Sequence, residues 1–348
     1  MLPSALERVA FAPAHSPAVP TPTVCAVVVT YNRAALLAQV LDGLRAQTRP
    51  PDAVLVVDNA STDGTADLLA ERYPSVRVRR LDRNAGASGG FAEGVRAAHA
   101  DGFDWIWILD DDVVPRPDCL GELLAVAAEA GTPVAVPRRI EPDGSVIRAE
   151  AVIYEADQVY RAPDCGDARW CLVDLFTFEG PLVHRRVVDA IGLPDASLFI
   201  LTDDTDYGVR LYRALGPLAA ALAMRAAVDR KLAAEPAVRV HSRLKQLVTG
   251  DPWLTLVADD QHWKRGYYLR NRHLLWKRLG WRRRRLTQLA AHAGYLVTDA
   301  LYALRHGWDW RLRFGVNARA FGLGLLGRSG AFVDPAAYHA RRKRRAGA

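Results

Sequence analysis

Trp105-Ile106-Trp107-Ile108-Leu109-Asp110-Asp111-Asp112-Val113 decides how the rest of the chain is read. Its first five residues are apolar without a break and rich in aromatic and β-branched side chains, as in a strand buried on both faces. Three aspartates follow at once. Unpaired carboxylates are too costly to sit in a core, so the strand must end where they meet water or a cation. A hard divalent cation takes oxygen ligands of this kind, and open α/β sheets bind their ligands at the carboxyl ends of the strands. A solvated acidic turn explains the same three residues without any cation. The triad alone does not separate the two.

The preceding chain repeats one rhythm. Val24–Thr30 is an apolar strand without alternation, Tyr31-Asn32-Arg33 is a loop, and Ala34–Ala46 spaces Leu37, Val40, Leu41 and Leu44 along one helix face. Pro50-Pro51 stops that helix. A second strand, Ala53–Val57, runs into Asp58-Asn59, and Ser61–Thr65 caps a helix to Arg72. Val76–Leu81 is a third strand, and the glycine-rich Asn84–Phe91 opens a helix to His99. Strand–loop–helix units in this order predict a doubly wound, mostly parallel sheet flanked by helices. After the triad, the pattern predicts a helix over Cys119–Ala130, a strand over Pro133–Pro137, β-rich chain over 140–178 and a strand at Leu198–Leu201. That strand is expected to end in a second acid cluster, Asp203-Asp204-Thr205-Asp206, with a helix to Leu215. Helices over 263–279, 286–304 and 308–326 form a C-terminal extension.

The net charge of +7 is unevenly placed: His262–Arg285 holds ten Lys or Arg and no acid, and Arg341–Arg345 is a second basic run. Such blocks favour polyanions or anionic membrane surfaces, or serve as a solubilising face. The four cysteines, Cys25, Cys119, Cys165 and Cys171, lack metal-site spacing, and a reduced, cytoplasmic setting is expected. Met1–Thr23 is Pro/Ala-rich and reads as a flexible leader. No stretch of about 18 residues is apolar and uncharged enough to predict a spanning helix.

In a parallel sheet the loops after four strands, at Thr30–Asn32, Asp58-Asn59, Asn84–Gly90 and Asp110–Asp112, open on one edge. Together they suit a nucleotide diphosphate: polar groups for the base, glycines for close approach, and acids for a cation. The glycine-rich loop fits neither the P-loop pattern nor G-x-G-x-x-G. Asp203–Asp206 supplies a separate carboxylate able to act as a general base, or else to cap a helix.

These stretches, in this order, resemble the family 2 glycosyltransferases of GT-A (Rossmann-like) fold, and most of all their galactofuranosyltransferase and rhamnosyltransferase branch. The likeness runs from Val27–Arg33 through Val56–Ser61, Asn84–Phe91, Ile108–Asp112 and Leu198–Gly208 to Tyr267–Arg272. It implies a GT-A catalytic domain at 24–250, a helical region at 251–340 that completes the active site, and a basic tail at 341–348. Its implied activity is inverting transfer of a galactofuranose- or rhamnose-type sugar from a UDP- or dTDP-sugar to a glycan or lipid-linked glycan. By the same resemblance Thr30, Asn32 and Asp58 face the nucleobase and ribose, Asn84, Gly89 and Gly90 lie near the diphosphate and sugar, and Asp111 points toward the donor. Asp110 and Asp112 match the acids that bind manganese or magnesium, Asp204 the catalytic base, and Asp203 its neighbour that orients the acceptor. Arg270-Asn271 falls in a segment like the family's active-site closing helix.

One position departs from the family. Where relatives carry a metal-ligating histidine after an Ala-Ala-Val strand, this chain has Ala226-Ala227-Val228-Asp229-Arg230. His241 is the substitute ligand considered, with Asp229 a second choice and a cation-free site assisted by Arg230 a third. His262 and His273 are structural or phosphate-facing residues of a basic helix. The basic, aromatic C-terminal region suits peripheral contact with the inner face of the cell membrane. No nucleic-acid partner is expected, since no recognition motif is present. A nucleotidyltransferase acting on a sugar phosphate, and a catalytically degenerate nucleotide-binding protein, are the alternatives.

Overall fold

The structure, a computed structural model, describes residues 21–146, 151–154, 160–161, 165–231, 262–278, 280, 282–306 and 308–346. Most of the leader read at residues 1–23, and His241, lie outside these. The described chain forms two compact units: residues 21–84, 90–194 and 207–231 make the first, and 85–89, 195–206 and 262–346 the second.

The first unit is built on the strands anticipated from the apolar runs. β1 (Val24–Thr30) is buried along its whole length and lies between β2 (Ala53–Asp58) and β4 (Trp105–Asp110), parallel to both. β3 (Arg77–Arg80) pairs in parallel with β2. Beyond β4 the sheet turns mixed: β11 (Leu182–His184) is antiparallel to β4 and to β6 (Val134–Ile140), and β12 (Ala220–Arg230) returns parallel to β6. β5 (Val113–Pro115) closes this edge, and β9 (Trp170–Val173) also pairs with β12. A smaller sheet joins β7 (Ala151–Tyr154), β8 (Tyr160–Arg161) and β10 (Leu175–Phe176).

Helices cover the large sheet because their apolar faces have nowhere else to go. α1 (Ala34–Arg45) buries Leu37, Val40, Leu41 and Leu44, and α4 (Cys119–Ala130) buries Leu120, Leu123 and Val126, in one core with Trp107 and Leu109. Burying each such large side chain contributes roughly 1.5–3 kcal/mol. The Trp107 indole N–H, which a core must satisfy, donates to the Gly180 carbonyl at 2.9 Å. Short helices α2 (Thr65–Arg72) and α5 (Arg185–Ile191) complete this unit's helical layer. α3 (Gly86–Ala100) begins in the glycine-rich loop, as expected.

In the second unit, α7 (His262–Arg278), α8 (Arg282–His306) and α9 (Trp308–Leu326) follow one another, as their spacing predicts, and α10 (Pro335–Ala346) takes in much of the terminal basic run. α6 (Asp203–Leu215) carries the second acid cluster in its first turn. Tyr267 and Trp263 of α7 pack with Phe199, Val316 and Phe332. His273 is structural, since it is buried and its ring stacks on that of His292, the two joined at 2.9 Å.

Two expectations fail. Leu198–Leu201 is not a strand: a short 3-10 turn, Ala196–Leu198, leads into backbone with positive φ at Phe199, Leu201 and Thr202. Four apolar residues are too few to dictate a strand once tertiary hydrogen bonds claim their carbonyls. The cysteines are not all reduced, because Cys165 and Cys171 form a disulfide. A turn at Gly166 (φ 49°) helps bring their Cα atoms within 5.3 Å, inside bridging distance. Cys25 and Cys119 are free and buried, and burial pushes both thiols up, away from reactivity.

Candidate active site

Sheet register brings the first group of candidate residues together. Thr30 is paired with Asp58 and Val29 with Asp110, so the ends of β1, β2 and β4 share one edge. Asp110 closes β4, Asp111 and Asp112 form the turn, and Val113 begins β5. The triad is thus a hairpin-like corner between the sheet's centre and its far edge. Lys231 N–H, just past β12, donates to the Asp112 carbonyl at 2.6 Å.

Asp111 is buried, and its carboxylate accepts from the Thr30 hydroxyl at 2.8 Å and from Arg33 at 3.0 Å. The same guanidinium nitrogen reaches Asp112 at 3.1 Å. Burial pushes the Asp111 carboxyl up, with Arg33 as the main opposing influence. For Arg33, burial works against the charge but the two aspartates outweigh it, so its pKa rises. Arg33 stands out only in three dimensions: 78 residues separate it from Asp111. Its position immediately after Tyr31-Asn32 was the one available signal.

The other candidate residues organise their own loops. Asn32, exposed and at φ 53°, accepts from Thr62 N–H through its side chain at 2.7 Å. Asp58 is buried, accepting from Ser61 N–H at 2.8 Å and from Arg80 at 2.7 Å. Gly90 lets α3 approach the sheet, since a Cβ there would lie 2.4 Å from Val29 Cγ1. Asn84 stands half-buried just before α3.

In the second unit the tip of the glycine-rich loop meets the acid turn. Ser88 N–H donates to the Phe199 carbonyl at 3.1 Å, and a Cβ on Gly86 would fall 1.9 Å from that same oxygen. Asp203 is buried. Burial, then the neighbouring Asp204 charge, pushes its carboxyl up to about 7, opposed by the Ser88 hydroxyl. Asp204 is half-buried and accepts from Thr205 N–H at 2.5 Å. Asp206, also buried, lies 3.6 Å from Arg278.

The chemistry of the triad fits a hard cation. A positive group already rests on two of its carboxylates, and magnesium commonly binds through one or two carboxylates plus substrate phosphates and water. Among the described residues no cluster of three His, Cys, Asp or Glu side chains is preformed for a metal. Arg230 pairs with Glu141 at 3.4 Å, and Asp229 pairs with Arg116 at 3.0 Å. Arg230 and Asp229 are half-buried at the end of β12, and each has its own counter-charge outside the triad.

Residues 25–159 match the model of glycosyl transferase family 2. It is 36% identical over 205 residues to a galactofuranosyltransferase, GlfT1, of Mycolicibacterium smegmatis, covering 56% of this chain and 66% of that protein, just under two thirds. Over 216 residues it is 28% identical to the N-acetylglucosaminyl-diphospho-decaprenol L-rhamnosyltransferase of Mycobacterium tuberculosis, covering 54% of this chain and 70% of the relative. Among solved structures, GalNAc-T7 with UDP, GalNAc and Mn2+ aligns with a TM-score of 0.49 at 15% identity, over 65% of this chain and 48% of that one. The Staphylococcus aureus TarS 1-349 structure aligns with a TM-score of 0.47 at 13% identity, over 87% and 80%. The matched family model agrees with the resemblance carried by the motifs.

Proposed function

We propose that the chain is an inverting glycosyltransferase that moves a galactofuranose- or rhamnose-type sugar from a UDP- or dTDP-sugar to a hydroxyl of a glycan or lipid-linked glycan. The observation that carries this reading is the packing of Gly86 and Ser88 against the Phe199 carbonyl, in the turn that leads into Asp203 and the half-buried Asp204. Asp204 takes the proton of the acceptor hydroxyl, and the freed oxygen attacks the anomeric carbon. The bond from that carbon to the diphosphate breaks, the nucleoside diphosphate leaves with the electron pair, and configuration inverts. Asp203, held protonated to near neutral pH, orients the acceptor by hydrogen bonding. Asp110 and Asp112 would hold manganese or magnesium, which when bound neutralises the leaving diphosphate. Thr30, Asn32 and Asp58 line the nucleoside side, with Asp111 toward the donor. Screening UDP- and dTDP-sugars with and without manganese, with NMR of the product's anomeric configuration, tests this. Transfer with inversion is expected; retention, or no transfer from any donor, would overturn it.

The acceptor reading draws on α8. Leu286, Val297, Leu301 and Leu304 are 66%, 61%, 62% and 82% exposed, and with exposed Ala290, Ala293 and Gly294 they fall on one helical stripe. Arg282–Arg285 opens this helix, and no helix among the described residues is long and apolar enough to cross a membrane. An apolar stripe headed by arginines suits an anionic lipid surface. Sedimentation with phosphatidylglycerol vesicles should capture the protein, and Leu301→Glu should release it. Equal capture of both would discard this contact.

A further inference from the structure

Among the described residues of the second unit, positive φ at non-glycine positions gathers between Leu198 and Thr202. Phe199 has φ 71° and ψ −57°, and Ile200 N–H donates back to the Leu198 carbonyl at 2.9 Å. This is the rare form of the three-residue turn. Leu201 (φ 65°) and Thr202 (φ 72°) are also left-handed, and none of the three is glycine. Bulky and β-branched residues hold such conformations only where their surroundings over-determine them.

Here the surroundings are two side chains of α7. Asn271 donates through Nδ2 to the carbonyls of Leu198 (3.0 Å), Ile200 (3.0 Å) and Leu201 (2.8 Å). Arg270 donates through Nη2 to the Leu198 carbonyl at 3.0 Å. The pair is internally braced, because Asn271 Oδ1 accepts from Arg270 Nε at 2.9 Å and Nη2 at 2.6 Å. Both residues are fully buried. Arg270 is further fixed over the rings of Tyr267 and Phe332 and donates to the Gly330 carbonyl. Ser88 N–H holds the Phe199 carbonyl, and Asp206 N–H takes that of Thr202 at 2.8 Å. Every carbonyl from 198 to 202 is therefore accounted for, three of them by one amide nitrogen. The next two residues are Asp203 and Asp204.

We propose that Arg270 and Asn271 are positioning residues for sugar transfer: they clamp the left-handed turn that aims Asp203 and Asp204. The proposal rests on the reading of Asp204 as the base. Neither residue touches substrate in this account. Their work is to keep a strained segment in the one geometry that presents a carboxylate to the acceptor. Released, the turn relaxes toward ordinary backbone and carries the acid off line. Misplacement of a reacting group by about 1 Å costs on the order of 10²-fold in rate.

The test uses the full chain with an active donor–acceptor pair. Asn271→Ala should lower kcat by about 10²-fold with donor KM and nucleotide affinity unchanged, since the donor-side loops keep their own contacts. Leu201→Gly, which makes φ 65° costless at that position, should restore much of the lost kcat in the Asn271→Ala background and change little alone. Arg270→Lys, keeping the charge but losing the fork, is the second variant if Asn271→Ala does not fold, with circular dichroism and nucleotide calorimetry reporting the fold. A fall in melting temperature without a fall in kcat, or a loss of kcat that Leu201→Gly leaves untouched, would overturn the proposal. Full activity of Asn271→Ala beside an inactive Asp204→Asn would sink the clamp and leave the base standing. Turnover by Asp204→Asn would remove the base and the clamp's task with it.

Discussion

Two groups of aspartates stand at turns of this chain, and they are neutralised differently. At Asp110–Asp112 the charge is met by charge: Arg33 bridges Asp111 and Asp112, and Thr30 donates to Asp111. At Asp203–Asp204 burial and then the acidic neighbour push the buried member up to about 7, opposed by Ser88 and by backbone N–H groups of the turn. A carboxylate held by a cation stays ionised and suits binding a metal or a diphosphate counter-charge. A pair in which one member keeps its proton and the other reaches solvent suits moving a proton. The difference in environment, more than the shared residue type, is what the proposed division into binding acids and a proton-transferring acid rests on.

The sharpest way to break this contrast is to neutralise the working acid. Asp204→Asn should reduce turnover about 10²–10⁴-fold, the usual worth of a general base, while calorimetry finds nucleotide affinity retained. Wild-type turnover would erase the distinction between the two clusters.

The next effect tests the junction of loop and turn. Gly86→Ala places a Cβ 1.9 Å from the Phe199 oxygen at φ 75°. Urea denaturation should show a loss of about 2 kcal/mol or more. Gly64→Ala is the control: its φ is 84° but nothing lies within 4 Å, so only the backbone penalty of about 1–2 kcal/mol applies. Equal losses at both sites would mean that the packing against Phe199 is slack.

Arg33→Ala sharpens the other side. Without the guanidinium, Asp111 and Asp112 repel, and manganese no longer competes with a resident positive charge. Thermal unfolding should show a larger manganese-induced rise in melting temperature than in wild type. A smaller rise would mean that Arg33 assists the cation rather than standing in for it.

The smallest effect is a pH dependence. Folded Asp203 titrates near 7 against an ordinary value of 3.8, so the folded state binds its proton more tightly than the unfolded chain does. That contribution is complete below about 3.8 and fades as pH rises through about 7. Asp203→Asn should therefore flatten the decline in stability across this window. Parallel wild-type and variant curves would show that Asp203 ionises like an exposed acid.

Much of the architecture is legible locally. The apolar runs of β1, β2 and β4, the face of α1 and the ends of α4 and α9 follow from periodicity and punctuation. The antiparallel β11 escaped because three residues carry no period. Leu198–Leu201 misled because β-like composition there is overruled by Asn271, some 70 residues downstream. Arg230, where the motif resemblance leads one to expect a histidine, reads as an oddity in one dimension; in three it pairs with Glu141.

The amino-acid sequence by itself determined that Trp105–Leu109 is a buried strand, that acids follow it, and that the ordered motifs resemble family 2, whose model matches residues 25–159. Those are short-range facts, encoded in neighbouring side chains and their spacing. Tertiary structure alone decided that Arg33 answers the triad, that Ser88 meets the Phe199 carbonyl, and that Arg270 and Asn271 hold the strained turn. Hydrogen bonds and charges act over a few ångströms in space whatever their separation along the chain, and no local pattern records which distant partner will satisfy them.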